Sequence, residues 1–397
     1  LSNVLQAFCI IGIWLGPKGR GIHWIAVICI ACFIITSALQ VIALVQAKDD
    51  EEKLFECFSV LSFCCIGLLK LLSLRGRQER WRSLLSTATN LEFQQLNCEN
   101  PVNIEYESDG EEDDTFSKNI EMYSKKFTST SNLLSRFYMF TATVYILSPF
   151  VEYCLHKFQG AEILQYPHIL PGWAPLDALS FGGYMITVIA EGIASTYCVC
   201  VHTAFDLLAI GMMIFIHGQF LLLHDYCKRI GGKGKTCDIS ARRDARAHYR
   251  IAKCHRIHVT LIKLVTELSS LTQNILGIYF ALAALTLCSV AKELSITQLI
   301  SLLQYMCATL TQLFLFCNYG SDVFSLQSAI RFGEGPFASA WWCLSPRICR
   351  EVALLCVSMT RHCRLLAGPF MSLELPTFIQ IVRSAYSYYA VIRQKKD

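Results

Sequence analysis

Charged residues are scarce in this sequence, and long apolar runs take their place. Only 17% of the 397 residues are Asp, Glu, Lys or Arg, whereas 53% are hydrophobic and the mean hydropathy is +0.41. Soluble globular domains have about 25% charged residues. The composition therefore excludes an ordinary soluble domain and predicts an all-α membrane protein with several transmembrane helices.

Motifs that would indicate an enzyme, a metal site or a cofactor are also missing. No G-x-S-x-G or H-E-x-x-H occurs, no two C-x-x-C pairs have zinc spacing, and the stretch GGKGK at 231–235 lacks the P-loop pattern. His248, His255 and His258 lie among Arg and Lys residues that would repel a cation. Most of the 20 cysteines lie in apolar runs, where buried free thiols are expected.

Seven apolar segments are close to the ~20 residues that cross about 30 Å of hydrocarbon. The first is too long for the apolar part of a cleavable signal peptide, so we expect a membrane span there. The apolar pattern of the fourth continues to about Phe220, which predicts a helix that extends well beyond the bilayer. The predicted spans are 23–46, 54–74, 133–155, 178–200, 271–291, 296–317 and 374–393.

The placement of Lys and Arg predicts the orientation of these spans. With the N-terminus inside, the inner segments hold 25 Lys and Arg residues, against 7 in the outer loops and the tail. Positive residues favour the cytoplasmic side. We therefore expect a cytoplasmic N-terminus and an extracellular C-terminus. This is opposite to a G-protein-coupled receptor and argues against a metabotropic mechanism.

The spans divide the chain into four parts. Residues 1–22 form a cytoplasmic segment, and 23–224 contain spans one to four together with the first inner loop, 75–130. Residues 225–373 contain the second inner loop, spans five and six and a helical anchor domain, and 374–397 contain the last span and the tail. The first inner loop includes the acidic run 99–114, for which we expect a solvated, mobile loop.

The anchor domain is predicted from two amphipathic patterns, 321–332 and 346–365. Neither is apolar enough to cross lipid. An amphipathic helix of this kind packs its apolar side on other helices at the inner face of the membrane. In the second pattern that side consists of Ile348, Val352, Leu355 and Met359.

Charged residues inside predicted spans are costly and suggest function. Lys70 and Arg136 lie near inner ends, where their long side chains can extend to the interface. Glu191 lies deeper, and either helix packing or contact with a ligand or an ion would explain it. Arg383 lies about nine residues from either end of the last span, so we expect it to face protein or water rather than lipid.

The outer halves of spans two, three, four and six offer an apolar, aromatic lining with few polar groups. Such a lining suits a small hydrophobic molecule with one polar group, although ordinary packing between helices remains an alternative. Pro149 is expected to break the backbone hydrogen-bond ladder of its helix and open a concavity. The candidate ligand contacts are Phe58, Ser62, Tyr145, Pro149, Phe150, Tyr153, Tyr184, Met185, Val188, Ser301, Gln304 and Tyr305.

Four segments of the C-terminal third share a recognisable pattern: CNYGSDVFSLQSAI (317–330), AWWCLS (340–345), RICREVALLCVSMTRHCRLLAG (347–368) and SLELPTFIQIVRSAYSYYAVIRQ (372–394). In these segments the chain resembles the insect odorant receptor family. Two departures are RHCRLL, where the family often has a Gln and a Pro, and Phe337 in place of a Tyr. The residues that match the family pattern are Gly320, Trp341, Arg361, Ala367, Gly368, Leu375, Phe378, Tyr386, Ser387 and Tyr388.

The resemblance implies an odorant-gated, non-selective cation channel built from four subunits. The subunits would meet in the anchor domain beneath the membrane, and the last helix would line a central pore. The short loop 225–263 implies an odorant-tuning subunit that works with a shared co-receptor in the plasma membrane of sensory-neuron cilia or dendrites. Its ligand would be a small volatile molecule, and it would contact membrane lipids and permeating cations.

The resemblance also implies that Val391, Gln394 and Lys395 line the pore. Four Lys395 side chains in a ring would repel cations, which disfavours a homotetramer. A gustatory-type or metabotropic receptor is the alternative, but the tail SYYAVIRQKK lacks the closing Phe of the gustatory pattern.

Overall fold

The computed structural model describes residues 24–49, 51–96, 109–158, 166–174, 180–232, 239–289, 296–331 and 335–394. Nine α-helices account for nearly all of the regular structure in these residues, together with one short antiparallel hairpin, β1 (Leu366–Ala367) and β2 (Met371–Ser372). The helices are α1 (Trp24–Gln46), α2 (Glu51–Gly76), α3 (Gln78–Leu96), α4 (Asp109–Phe158), α5 (Phe181–Lys228), α6 (Ala241–Ser289), α7 (Ile296–Ala329), α8 (Pro346–Met359) and α9 (Leu375–Gln394).

Each of the seven predicted spans coincides with a helix over nearly all of its described residues. Four helical segments are apolar and long enough to cross a membrane by length and composition: Trp24–Gln46, Glu56–Gly76, Phe181–Lys228 and Ala241–Thr286. The other three predicted spans lie in α4, α7 and α9. Below, the outer end of the bundle is the end near residues 166–174, and the inner end is the end that carries α8.

Three helices are much longer than a bilayer is thick. α4, α5 and α6 have 50, 48 and 49 residues, which at 1.5 Å per residue is about 70 Å, against about 30 Å of hydrocarbon. The predicted extension of the fourth span past Phe220 is confirmed. α6 begins after Ser240, whose hydroxyl accepts a hydrogen bond from the Arg243 N–H at 3.2 Å, and continues without a break into the fifth predicted span.

Two expectations for the inner segments are wrong. The first inner loop, 75–130, is largely helical, because α3 and the start of α4 occupy it. Five carboxylates fall within 109–114, the first turns of α4, where the positive end of the helix dipole favours negative charge; residues 97–108 lie outside the described residues. The pattern at 321–332 is not a separate helix, because α7 continues to Ala329.

α5 is the central helix of the bundle. It packs against α1, α2, α4, α6 and α7. From Val201 to Cys227 most of its side chains are buried, on every side of the helix. A helix that is apolar all round is expected to be enclosed by other helices.

The inner block forms where α8 packs on α6. The predicted apolar side of α8 is confirmed, since Ile348, Val352, Leu355 and Met359 are all buried. Polar contacts flank this interface, because His248 Nδ1 of α6 lies 2.6 Å from a Glu351 carboxylate oxygen. The block therefore combines an apolar core with a polar rim, as an amphipathic helix on a bundle should.

The hairpin explains why glycines occur where they do. Gly368 has φ +69°, and its N–H donates to the Gln273 carbonyl of α6 at 2.8 Å. A Cβ on Gly277 would lie 2.6 Å from the Gly368 Cα, and a Cβ on Gly320 would lie 2.3 Å from the Leu373 carbonyl oxygen. Only glycine permits these approaches, which tie the segment before α9 to α6 and α7.

Candidate functional site

The candidate ligand contacts lie on four helices at the outer end. On α2, Phe58 is half-buried and Ser62 is buried, with the Ser62 hydroxyl donating to the Phe58 carbonyl at 2.7 Å. On α5, Tyr184 is buried and Val188 is half-buried. Gln304 of α7 is also half-buried. On α4 the half-buried candidates are Tyr145, Pro149, Phe150 and Tyr153.

The four helices that carry these candidates pack against one another. α5 packs against α2, α4 and α7, and α4 also packs against α7. The Gln304 amide of α7 donates to the Thr141 carbonyl of α4 at 3.0 Å. The outer halves of α2, α4, α5 and α7 therefore converge, as the lining of one pocket requires.

Some candidates are not placed in this arrangement. Ser301 and Tyr305 belong to α7, but their side chains lie outside the described residues. Met185 is 43% exposed, and Ile186 and Ile189 beside it are 63% and 56% exposed. A row of exposed apolar side chains is typical of a lipid-facing side, so contact between Met185 and a ligand stays a prediction.

Pro149 lies within α4, which continues as a helix to Phe158. The concavity expected there stays a prediction. Proline cannot donate the hydrogen bond that the Tyr145 carbonyl would otherwise receive. Membrane helices tolerate this loss when neighbouring groups and small local adjustments satisfy the carbonyl. The chain thus has a weakened backbone ladder beside Tyr145 rather than a broken helix.

Glu191 holds a segment that covers the outer end. Its carboxylate accepts hydrogen bonds from the Ile169 N–H at 2.9 Å and the Leu170 N–H at 3.4 Å, and it lies 3.2 Å from His168 Nδ1. We call residues 166–174 the outer strap. Glu191 was expected to bond to a neighbouring helix or a ligand, but its bonds here go to the strap.

Two further contacts fasten the outer strap. The Tyr184 hydroxyl donates to the Pro167 carbonyl at 2.9 Å, and the Tyr184 ring packs on those of Tyr166 and His168. The Trp173 N–H donates to the Leu39 carbonyl of α1 at 3.4 Å. The strap has no sequence motif, so sequence analysis missed it.

Lys70 does not extend to the interface as predicted. It is 0% exposed, and its Nζ donates to Asp206 Oδ1 at 2.7 Å. The same Nζ lies 3.1 Å from His202 Nδ1, while His202 Nε2 lies 3.1 Å from the Phe63 carbonyl. His202 therefore accepts from Lys70 at Nδ1 and donates to Phe63 at Nε2. The Lys70 ammonium is therefore paired with Asp206 inside the protein and does not extend through the apolar packing to the interface.

The second oxygen of Asp206 binds two more helices. Asp206 Oδ2 accepts hydrogen bonds from the Gln312 amide of α7 at 2.7 Å and from the Tyr138 hydroxyl of α4. Sequence analysis missed this cluster because its partners are far apart in the chain. The signals in the sequence were Lys70 and Asp206, each a single charge within an apolar run. We call Lys70, Tyr138, His202, Asp206 and Gln312 the junction cluster.

α9 packs on α6 and α7 with one face and leaves the other exposed. Ile381 and Ala385 are buried, whereas Arg383 and Tyr386 are exposed in the single chain. Of the predicted pore residues, Val391 and Gln394 belong to α9, but their side chains are outside the described part, as is the whole of Lys395.

Potential metal ligands are not grouped in the part of the chain that the structure describes. Among the described residues, no group of three or more His, Cys, Asp and Glu side chains is placed to hold a metal ion. In the inner block, burial and the nearby His255 lower the pKa of His258 to about 4. His258 is therefore a neutral packing residue at physiological pH.

Comparison with known proteins matches this chain to a receptor family. The family model described as "7tm Odorant receptor" matches residues 51–386. Odorant receptor 22c of Drosophila melanogaster is 26% identical over 59% of this chain and 58% of the receptor. Odorant receptor Or2 of Anopheles gambiae is 22% identical over 63% of this chain and 65% of the receptor. The chain thus aligns with less than two thirds of each relative's length.

Solved structures show the same fold over nearly the whole chain. The insect olfactory receptor OR5 from Machilis hrabei matches with a TM-score of 0.75 over 98% of this chain and 96% of that chain, at 15% identity. Its complex with eugenol matches with a TM-score of 0.74 over 99% of this chain and 97% of that chain, also at 15% identity. At this identity the likeness concerns the fold.

Proposed function

Because the chain belongs to the 7tm odorant receptor family, a family of multi-pass membrane proteins, we propose that it is an odorant receptor subunit of a ligand-gated, non-selective cation channel. It binds a small volatile hydrophobic molecule within the membrane and gates a central pore. Neither the matched family nor the relatives named above support the metabotropic or gustatory-type alternative.

The convergence of the outer halves of α2, α4, α5 and α7 is the observation that carries the proposal. Their half-buried aromatic side chains provide an apolar lining, and few polar groups are left to fix a ligand's orientation. Such a lining suits a compact molecule with one polar group. Eugenol, which the Machilis receptor binds, has this chemistry, although the odorant of this chain need not be the same.

The exposed face of α9 supports a pore built from several subunits. Arg383 and Tyr386 would be costly against lipid, but they can face water or neighbouring subunits around a central axis. In the proposed tetramer the C-terminus is extracellular, and Val391, Gln394 and Lys395 line the outer end of the pore. A ring of four lysines would repel cations, so the chain works with co-receptor subunits that lack them.

Gating then follows from a shift between two populations. An odorant stabilises the open arrangement only to the extent that it binds that arrangement better than the closed one. We place this channel in the plasma membrane of sensory neurons, at the cilia or dendrites where volatile molecules arrive.

Whole-cell current under an odorant panel tests the function. The chain is expressed alone and then with the co-receptor, with surface expression checked in both cases. We expect an odorant-evoked cation current only from the pair, with ion selectivity altered by Lys395→Ala and unchanged by the adjacent Lys396→Ala. Robust current from the chain alone would overturn the lysine-ring argument. Silence in both cases would overturn the channel function.

A further inference from the structure

The junction cluster joins four helices through one carboxylate. Asp206 of α5 and Lys70 of α2 are both 0% exposed, and Asp206 Oδ2 holds Gln312 of α7 and Tyr138 of α4. Water cannot replace a lost partner at such a site, so a buried polar network favours one arrangement of the helices that share it.

The cluster lies directly inward of the candidate pocket, on the same helices. Lys70 follows Ser62 by eight residues on α2. Gln312 follows Gln304 by eight residues on α7. At 1.5 Å per residue each step is about 12 Å, or roughly two helical turns. A displacement of the outer helix halves therefore reaches the cluster over a short distance.

α7 continues from the cluster to the last helix. Two residues beyond Gln312, the Phe314 ring lies 5.7 Å from the Phe378 ring in the first turn of α9. The Tyr279 hydroxyl of α6 donates to the Thr309 carbonyl of α7 at 3.1 Å. α6 and α7 are the helices on which α9 packs, so both supports of α9 are fixed at this level.

We propose that Gln312 is a positioning residue for gating. By holding α7 to Asp206, it makes the movement of the pocket helices act on α9 instead of being absorbed by slippage between α5 and α7. The inference rests on the proposed channel function and adds the residue through which pocket and pore communicate.

Two variants that each remove one hydrogen bond from the same oxygen test this role. Gln312→Met keeps the side-chain length but loses the amide on α7, whereas Tyr138→Phe loses the hydroxyl on α4. Each full-length variant is expressed with the co-receptor at matched surface levels. The readouts are the odorant concentration that gives half-maximal current and the ratio of evoked to basal current.

We expect Gln312→Met to raise the half-maximal concentration about fivefold or more and to lower the evoked-to-basal ratio, since couplings between sites are typically worth 5- to 150-fold. Tyr138→Phe should shift the half-maximal concentration by less than about twofold, because it leaves the α5–α7 link intact. Gln312→Asn, which keeps a shorter amide, should restore part of the evoked response.

Thermal unfolding of the purified variants separates coupling from folding. Both should lose similar stability, since each removes one hydrogen bond to Asp206. If Gln312→Met and Tyr138→Phe shift the half-maximal concentration equally, Gln312 has only a packing role and the inference is overturned. If the wild-type chain with the co-receptor conducts and Gln312→Met gives the same current, only the role of Gln312 is overturned. If the wild-type chain with the co-receptor gives no current, the channel function and this inference are both overturned.

Discussion

The two ends of α5 are built differently although they belong to one unbroken helix. Between Phe181 and Ala190 only Tyr184 is buried, whereas between Val201 and Cys227 buried side chains surround the helix. The outer end thus presents one wall to lipid or ligand, and the inner end is enclosed by other helices. The loosely packed outer half and the enclosed inner half therefore belong to one helix rather than to separate domains.

The largest effect should come from the core of the inner block. Leu355→Ala in α8 removes a side chain that is 3% exposed and should lower the free energy of unfolding by about 2–5 kcal/mol. Leu354→Ala changes the neighbouring leucine, which is 69% exposed, and should cost less than about 0.5 kcal/mol. Thermal unfolding in detergent compares them, and equal losses would contradict the assigned faces of α8.

Glycine substitutions sharpen the same contrast. Gly320→Ala would place a Cβ 2.3 Å from the Leu373 carbonyl oxygen, a backbone atom that cannot move aside cheaply, and should cost about 1–3 kcal/mol. Gly192→Ala in outer α5 meets only the Ile169 Cδ1, at 3.6 Å. It should be neutral or stabilising by up to ~1 kcal/mol, because alanine favours a helix over glycine. Unfolding midpoints that fall equally would show that the outer end is as tightly packed as the inner end.

The outer strap should respond locally rather than globally. Glu191→Ala leaves the Ile169 and Leu170 N–H groups without their acceptor, at a local cost of about 1–3 kcal/mol. Hydrogen exchange at these two amides should become roughly tenfold faster or more, with little change in the unfolding midpoint. Glu191→Gln keeps an acceptor oxygen and should exchange more slowly than the alanine variant. Unchanged exchange in both would contradict the role of Glu191.

The smallest effect concerns pH in the inner block. Burial holds the pKa of His258 at about 4, below its ordinary value of 6.5, so the unfolded chain binds more protons between these values. The contribution of neutral His258 is therefore present above pH 6.5 and lost as the pH falls towards 4. From pH 6.5 to 5.5 the loss is about 1 kcal/mol.

His258→Gln should remove this part of the pH dependence. The free energy of unfolding is measured for both proteins at pH 6.5 and pH 5.5, with His362→Gln at an exposed position as the control for the buffer change. An identical pH dependence in wild type and His258→Gln would show that His258 is accessible to protons in the folded protein.

Features with a local period were predictable from the sequence. The apolar repeat located all seven spans at helices, the extension past Phe220, and the buried side of α8 from Ile348 to Met359. The acidic run misled at residues 109–114, because the sequence offered high charge but no apolar stripe. These residues form the first turns of α4, where the helix dipole favours negative charge.

Features that depend on distant pairing were not predictable. Lys70 and Asp206 each interrupt an apolar run, but nothing in either run says that 136 residues separate two halves of one ion pair. The outer strap could not be predicted for a related reason. Glu191 accepts hydrogen bonds from the backbone N–H groups of Ile169 and Leu170, and every residue except proline carries such a group. The ligand contacts stay a prediction, although the helices that carry them pack together.

The position of Asp206 along α5 gives the helix a mechanical property. α5 has 48 residues, from Phe181 to Lys228, and Asp206 lies close to its midpoint. If the helix rocks as a rigid rod about the cluster, its two arms of roughly 35 Å swing in opposite directions by similar amounts. A tilt of about 5° would move each end by about 3 Å, so a displacement at the outer end would be accompanied by one of similar size, in the opposite direction, at the inner end.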